Sequence, residues 1–356
     1  MAKTDQNIHM KILYSVQATG NGHISRAMEL LPYLQEHGSV DIFLSGDNSN
    51  LAMDAPVKYR SKGLSLYYSC TGSLDYWQIV KAFQLRRLQQ EIKELPVEKY
   101  DLVINDFEYI TAAACAKKKV PSVNFGHQAS FQSLNTPRPV SKSFAGEYVL
   151  KNYAKASRYI GLHFKSYDDF IFTPVIKKEI LEAQPTDGNY ITVYLPSWCE
   201  PQLKELFGQF TDVQFKIFSR QTTSAHRQGN IRFLPVNKKM FNQSLIHCTG
   251  IITGGGFETP AEALHLGKKL MSIPMRGQYE QQCNAAALKD MGVYCLKKVG
   301  PDFETHFYHW LHNVAAIKVN YENSIPQCLD HLFSTRQETN TLKASATPAG
   351  LLSFLL

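Results

Sequence analysis

The stretch from Thr253 to Glu262, TGGGFETPAE, sets three consecutive glycines before two carboxylates. Glycines between a strand and a helix let the backbone approach a bound group closely, and a helix start offers unpaired N–H donors to an anion. Gly254, Gly255 and Gly256, with the expected helix start at Phe257, therefore read as a cradle for phosphate. Glu258 and Glu262 fall one turn apart on one helix face, where a carboxylate can accept bonds from both hydroxyls of a ribose. The same residues have a reading without any ligand. Thr259-Pro260-Ala261-Glu262 is a T-x-x-E capping box with proline at the first helical position, in which Glu262 folds back on the backbone of Thr259.

A second glycine-rich stretch, QATGNGHISRA, follows an apolar run near the other end of the chain. It lacks the third glycine of GxGxxG and the GK[ST] ending of a P-loop. Gly20, Asn21 and Gly22 lead into His23, which stands where the loop enters a helix. An imidazole there suits a general base, because its ordinary pKa lies near neutrality; the alternative is a capping or structural histidine. Asp106-Phe107-Glu108 follows the strand-like DLVIN, and carboxylates at such strand ends face the crevice where doubly wound sheets bind ligands. Asp106 would orient His23, hold an acceptor hydroxyl or act as the base; alternatively it caps the helix at Tyr109. Glu108 and His127, the latter after the strand SVNF, complete the acceptor-side candidates with Gly20, Asn21 and Gly22.

These residues need elements to hold them. Met10–Val16, Val40–Ser45, Asp101–Asn105 and Pro121–Phe125 have strand character, alternating with helices over 24–36, 76–95 and 109–118. The segment FTPVIKKEILEAQPTDGN carries turn signals and is expected to be a linker. A second alternating series follows. Its strands are 190–195, 213–218, 231–234, 250–253 and 270–273, and its helices are 200–210, 237–246, 257–266 and 281–291. Strand–helix alternation implies parallel βαβ units. The expected fold is α/β, with two Rossmann-like doubly wound domains facing each other across a cleft. The boundaries are 1–173 for the first domain, 174–189 for the linker, 190–335 for the second domain, and 336–356 for a tail, disordered or packed back on the first domain.

The chain has 356 residues, 44% of them hydrophobic and 19% charged, as in a globular protein with sizeable cores. No apolar stretch approaches the ~20 residues needed to span a bilayer. The polar start of MAKTDQNIHMKILYSV leads straight into a strand, so no signal peptide is expected. Seven scattered cysteines without a CxxC pair point to thiols in a reducing cytosol and give no metal-ligand spacing. The formal net charge of +7 favours an anionic substrate or an acidic membrane surface. The longest basic run is Lys117-Lys118-Lys119, which argues against a nucleic-acid partner. The aromatics Phe131, Phe144, Tyr148, Tyr153 and Tyr159, interspersed with lysines and arginines, form the core of the first domain or contact an amphipathic acceptor at a membrane.

The combination GGG-F-E-T-P-A-E-A, a strand ending at Pro274, and Q-Y-E-Q-Q-C-N-A-A-A-L resembles the donor half of GT-B fold glycosyltransferases. The nearest branch is that of the peptidoglycan N-acetylglucosaminyltransferase and the monogalactosyldiacylglycerol synthases, whose glycine-rich loop ending in a histidine near the acceptor is similar to GNGH here. The resemblance implies that Gly255 and Gly256 receive a pyrophosphate, that Glu262 holds the ribose, and that Gln281 and Gln282, with Gln278 beside them, contact the donor sugar. Asn284 stands where the branch has N-A. The turn after the first strand of the second domain reads LPSWC, so Ser197 is the residue there to meet phosphate. Backbone near Phe233-Leu234-Pro235 would read uracil.

The implied activity moves a hexosyl group from a nucleotide sugar, a UDP-sugar, to the hydroxyl of a glycan, lipid or small molecule, with His23 or Asp106 as base. No cofactor and no metal are expected, since the Asp-x-Asp signature of the other glycosyltransferase fold is absent. A cytoplasmic enzyme associated with the inner face of the membrane is the expected setting. The alternatives are a non-hydrolysing UDP-sugar 2-epimerase, whose usual G-T-R-P-E stretch is missing, and a non-catalytic nucleotide-sugar-binding module of the same fold.

Overall fold

The computed structural model describes residues 10–46, 53–63 and 85–339. Two seven-stranded sheets organise the chain. In the first, β1 (Met10–Gln17) lies between β2 (Gly38–Ser45) and β4 (Leu102–Asp106). β3 (Val57–Ser61) extends one edge, and β5 (Val123–Gly126), β6 (Arg158–Leu162) and β7 (Ile171–Phe172) extend the other. Every pairing in this sheet is parallel. Helices cover a parallel sheet on both faces, so its central strands read as continuous apolar runs. In β1 every residue from Ile12 to Gln17 is buried accordingly.

The second sheet runs β10 (His226–Gln228), β11 (Ile231–Pro235), β9 (Phe215–Ser219), β8 (Ile191–Tyr194), β12 (Gly250–Thr253), β13 (Lys269–Ser272) and β14 (Tyr294–Cys295). Only the short edge strand β10 is antiparallel, against β11. An aromatic core forms in this domain, where Phe207, Phe210, Phe215, Phe303, Phe307 and Trp310 are all buried.

Most expected elements are present within a residue or two. The helix after β1, α1 (Asn21–Gln35), begins three residues before its expected start at Ile24. His23 is therefore inside its first turn rather than in the loop. Of the helix expected over 76–95, residues Leu85–Glu94 are helical, while the part before residue 85 lies outside the described residues. So does the tail beyond residue 339.

The helices Phe144–Asn152, Phe303–Asn313 and Ile325–Thr339 and the short strands β3, β6, β7, β10 and β14 have no counterpart in the sequence reading. The last of these helices returns the chain to the first domain. The Tyr321 hydroxyl donates to Phe164 O (3.0 Å) and the Ser324 hydroxyl to Pro174 O (3.2 Å). Arg158 donates to the carbonyls of His331 (3.1 Å) and Leu332 (3.3 Å). Residues 321–332 thus pack on the first domain, although they fall within the 190–335 segment. The linker is not bare coil either: it includes the short helix Lys178–Leu181.

Candidate active site

Parallel pairing sets the site at the carboxyl ends of the strands. Val16 of β1 lies beside Asp106 of β4, so the start of α1 and the end of β4 meet. In the second sheet Thr253 is in register with Tyr194 on one side and Ser272 on the other. The glycine loop after β12 and the turn holding Ser197 after β8 therefore share one edge.

Asp106 and His23 meet directly, with Nδ1 of His23 2.9 Å from Oδ1 of Asp106. A carboxylate only accepts, so this contact assigns the proton to Nδ1 and leaves the lone pair on Nε2; Arg26 Nη2 also lies 3.1 Å from Nδ1 and crowds it as a second donor. Burial works against charge on His23, but the Asp106 carboxylate outweighs it and raises the pKa. Burial likewise works against the charge of Asp106, and the Arg26 guanidinium together with His23 holds it below its ordinary value.

Arg26 is the residue the sequence reading missed. It is 3% exposed and donates to Asp106 through Nε (3.1 Å) and through Nη2 to both oxygens (2.7 and 2.9 Å). Its Nη1 bonds Glu258, the first residue of the helix after the glycine loop. The spacing His23-x-x-Arg26 is the available signal, since residues three apart share a helix face. Gly126 matters for the same group. A Cβ there would come within 2.6 Å of Asp106 Oδ1 and 3.2 Å of Arg26 Nη2.

The turn that aims Asp106 is strained and locked. Phe107 has φ of +52°, in the left-handed region that costs a bulky residue energy. Glu108 N donates to Asn105 Oδ1 (2.6 Å), and Asn105 Nδ2 returns a bond to Glu108 O (2.8 Å). Glu108 itself caps the next helix, accepting from Ile110 N (2.8 Å) and Thr111 N (2.6 Å), and is 1% exposed. Its carboxylate is engaged by the helix end rather than turned to an acceptor. The cap at Tyr109 is thus Glu108, and Asp106 is free to serve His23.

On the facing domain, the helix Glu258–Leu266 has Phe257 as its N-cap residue and no side-chain cap. Thr259 is the second helical residue, so the T-x-x-E box does not form. Glu262, 2% exposed, pairs instead with Lys177 Nζ of the linker at 3.0 Å. Lys177 also donates to Asn242 Oδ1 (2.7 Å). In this arrangement Glu262 faces neither its own backbone nor the open cleft.

The three glycines differ. A Cβ on Gly255 would lie 2.5 Å from the backbone oxygen of Gln281, whereas one on Gly256 would meet nothing within 4 Å. Gly255 thus lets the loop pack on the helix Tyr279–Asp290, and Gly256 is the one with open space. Gln281 Oε1 accepts from Gly255 N (3.1 Å) and Met275 N (2.8 Å), which occupies it in shaping the loop. Gln282 is half-buried one residue on, and Gln278 precedes that helix with its Oε1 unpartnered among the described residues. Ser197 is half-buried in its turn, and Leu234 is 4% exposed in β11.

His127 is 1% exposed, stacked on Phe257 with ring centroids 4.0 Å apart. Its Nδ1 lies 2.9 Å from Leu162 O and its Nε2 2.7 Å from Asn284 Oδ1. Asn284 Nδ2 in turn donates to Gly255 O (2.9 Å). His127 therefore ties the first domain to the glycine loop and is enclosed rather than open to an acceptor. Asn21 reaches Tyr194 across the same cleft (3.3 Å). Gly22 lies against Glu258, and no side chain crowds Gly20. Among the described residues no group of three or more His, Cys, Asp or Glu is placed to hold a metal ion.

This is a two-domain α/β architecture with a buried His–Asp–Arg cluster at one sheet edge and a glycine loop at a helix start at the other. The family model described as glycosyl transferase family 1 matches residues 10–312, and the chain belongs to that family. It is a glycosyltransferase of GT-B fold.

An uncharacterized glycosyltransferase of Methanosarcina acetivorans is 22% identical over 329 residues, covering 80% of this chain and 84% of that protein. Among solved structures, UGT89C1 of Arabidopsis thaliana complexed with UDP-L-rhamnose aligns with a TM-score of 0.58 at 12% identity, covering 94% of this chain and 98% of that one. MurG of Acinetobacter baumannii aligns with a TM-score of 0.54 at 14% identity, covering 92% and 99%.

Proposed function

We propose that the enzyme transfers a hexosyl group from a UDP-sugar to an acceptor hydroxyl, with His23 as general base oriented by Asp106 and without a metal ion. The observation that carries this reading is the His23–Asp106 pair, with Glu258 of the glycine-loop helix reaching the same cluster through Arg26. His23 Nε2 takes the acceptor proton as the hydroxyl attacks the anomeric carbon. Asp106 fixes the tautomer and stabilises the imidazolium that forms. The pyrophosphate rests against Gly256 and the N–H groups opening the helix Glu258–Leu266, where the helix dipole offsets charge growing on the leaving nucleotide. Ser197, at the same sheet edge, adds a hydroxyl donor to phosphate, while Gln278 and Gln282 face the sugar. The solved neighbour with UDP-L-rhamnose supports uracil as the base of the donor nucleotide. The ribose contact that the resemblance gives Glu262 requires its pair with Lys177 to part.

The acceptor is amphipathic, and the enzyme works at a membrane surface facing the cytoplasm. The exposed large hydrophobics among the described residues are Leu85 and five within 134–149, with Leu134 at 87% and Phe144 at 93%. Phe144 and Tyr148 lie one turn apart on their helix, beside Lys142 and Lys151. Phe131, by contrast, is core. No helix among the described residues is long and apolar enough to cross a membrane. Flotation with anionic vesicles is expected for the wild type and lost in Phe144→Ser with Val140→Ser; equal flotation of both would refute this setting.

The donor class is tested by a thermal-shift screen of UDP, GDP, dTDP and their sugars. A ligand at about 100 times its Kd stabilises by ~2.7 kcal/mol. Uridine diphosphates are expected to shift Tm most, and no shift from any nucleotide would remove the reading.

A further inference from the structure

Asp106 is shared between two groups that compete for its charge. Arg26 donates three hydrogen bonds to it, and His23 donates one. Asp106 is the main support for an imidazolium at His23, and the guanidinium beside them offsets part of it. The second carboxylate on that guanidinium comes from the other domain, since Glu258 bonds Nη1 of Arg26. The fit is close on both sides. A Cβ on Gly22 would lie 2.3 Å from Glu258 Oε2, so the second glycine of GNGH leaves the space that this carboxylate occupies.

The charge count follows. With His23 neutral, Arg26 and Asp106 alone sum to zero, and protonating His23 makes an isolated positive cluster. With Glu258 docked the sum is minus one, and protonating His23 brings it to zero. Tyr14 on β1, whose hydroxyl is buried without a partner among the described residues, also faces Arg26 and Asp106 and is held neutral, while buried His127 and Glu262 lie within reach of the Glu258 charge. Arg26 thus holds a carboxylate of the donor domain beside the base on the acceptor domain.

We propose that Glu258, seated on Arg26, is a positioning residue that adds to the basicity Asp106 gives His23 when the donor domain is docked against the acceptor domain. This rests on the reading of His23 as the base. It couples acceptor deprotonation to closure, because the helix carrying Glu258 is also the one expected to receive the donor pyrophosphate. In the closed arrangement Glu258 raises the His23 pKa and Arg26 lowers it, in agreement with the signs of their charges.

The test is an NMR titration of the His23 ring in the full chain, assigned with His23→Asn. The wild-type pKa is expected above the ordinary value of about 6.5, lower in Glu258→Gln, and higher in Arg26→Gln. The acidic limb of the pH profile for UDP-sugar turnover is expected to move in the same two directions. Glu258 is partly exposed, so its variant keeps the test valid even if Arg26→Gln unfolds, which its melting curve would reveal. A His23 pKa unchanged in Glu258→Gln overturns the proposal, even if His23 is required for turnover. The predicted shifts in a protein that turns over no nucleotide sugar would leave the Glu258 effect standing and remove the function.

Discussion

His23 and Asp106 were readable as chemistry because one opens the helix that follows an apolar strand and the other ends such a strand, where a doubly wound sheet exposes its functional edge. Arg26 was not, since an arginine inside an amphipathic helix reads as solvated surface until β4 is known to lie beside β1. Replacing His23 with alanine should reduce turnover by about 10²- to 10⁴-fold, the usual worth of a positioned base. Asp106→Asn is expected to be as damaging, because the buried Arg26 loses its carboxylate and the histidine its tautomer. The two can be separated by stability: urea melts should show Asp106→Asn strongly destabilised and His23→Ala much less so. Turnover in the wild type should rise with pH through a value above 6.5, since the base must be neutral and Asp106 raises its pKa. An acidic limb below that value would contradict the pairing.

The glycine loop and the helix after it were legible as elements, but the work of individual residues in them was not. Gly255 and Gly256 are adjacent and identical in type, and only packing separates their roles. Gly255→Ala is expected to destabilise by about 1–3 kcal/mol through overpacking against the Gln281 backbone. Gly256→Ala should fold normally and lose nucleotide affinity, as read by calorimetry. The T-x-x-E pattern at Thr259 was misleading because Phe257 takes the cap position and moves Thr259 inside the helix. Glu262 is spoken for by Lys177, so Glu262→Gln should lower Tm and leave the donor KM within about threefold of wild type. A large rise in KM with unchanged Tm would restore the ribose contact. The short strands β3, β7, β10 and β14 escaped because edge strands of two to five residues carry too little periodicity to stand out from loops.

At the scale of the whole molecule, two α/β domains and their order were evident from alternation, whereas the contacts between them could not be read from one sequence. His163 shows what such contacts add. It is fully buried, with Phe257 of the second domain 6.0 Å away by ring centroids. Burial holds its pKa well below the ordinary value. A base with a depressed folded pKa contributes stability above about pH 6.5 that is lost as pH falls toward the folded value. Stability should therefore drop between pH 7 and 5, and His163→Phe should flatten that part of the curve. Asp106, depressed for the opposite charge type, adds stability that is lost only as pH falls below about 3.8 toward its folded value. The central claim is that one wall of the cleft binds the nucleotide and the other supplies the base, and it is tested most directly by measuring UDP binding and UDP release from UDP-sugars in wild type and His23→Ala. The account predicts a Kd unchanged within about threefold and release slowed at least ~10²-fold. Equal release by the two proteins, or loss of UDP binding in His23→Ala, would contradict it.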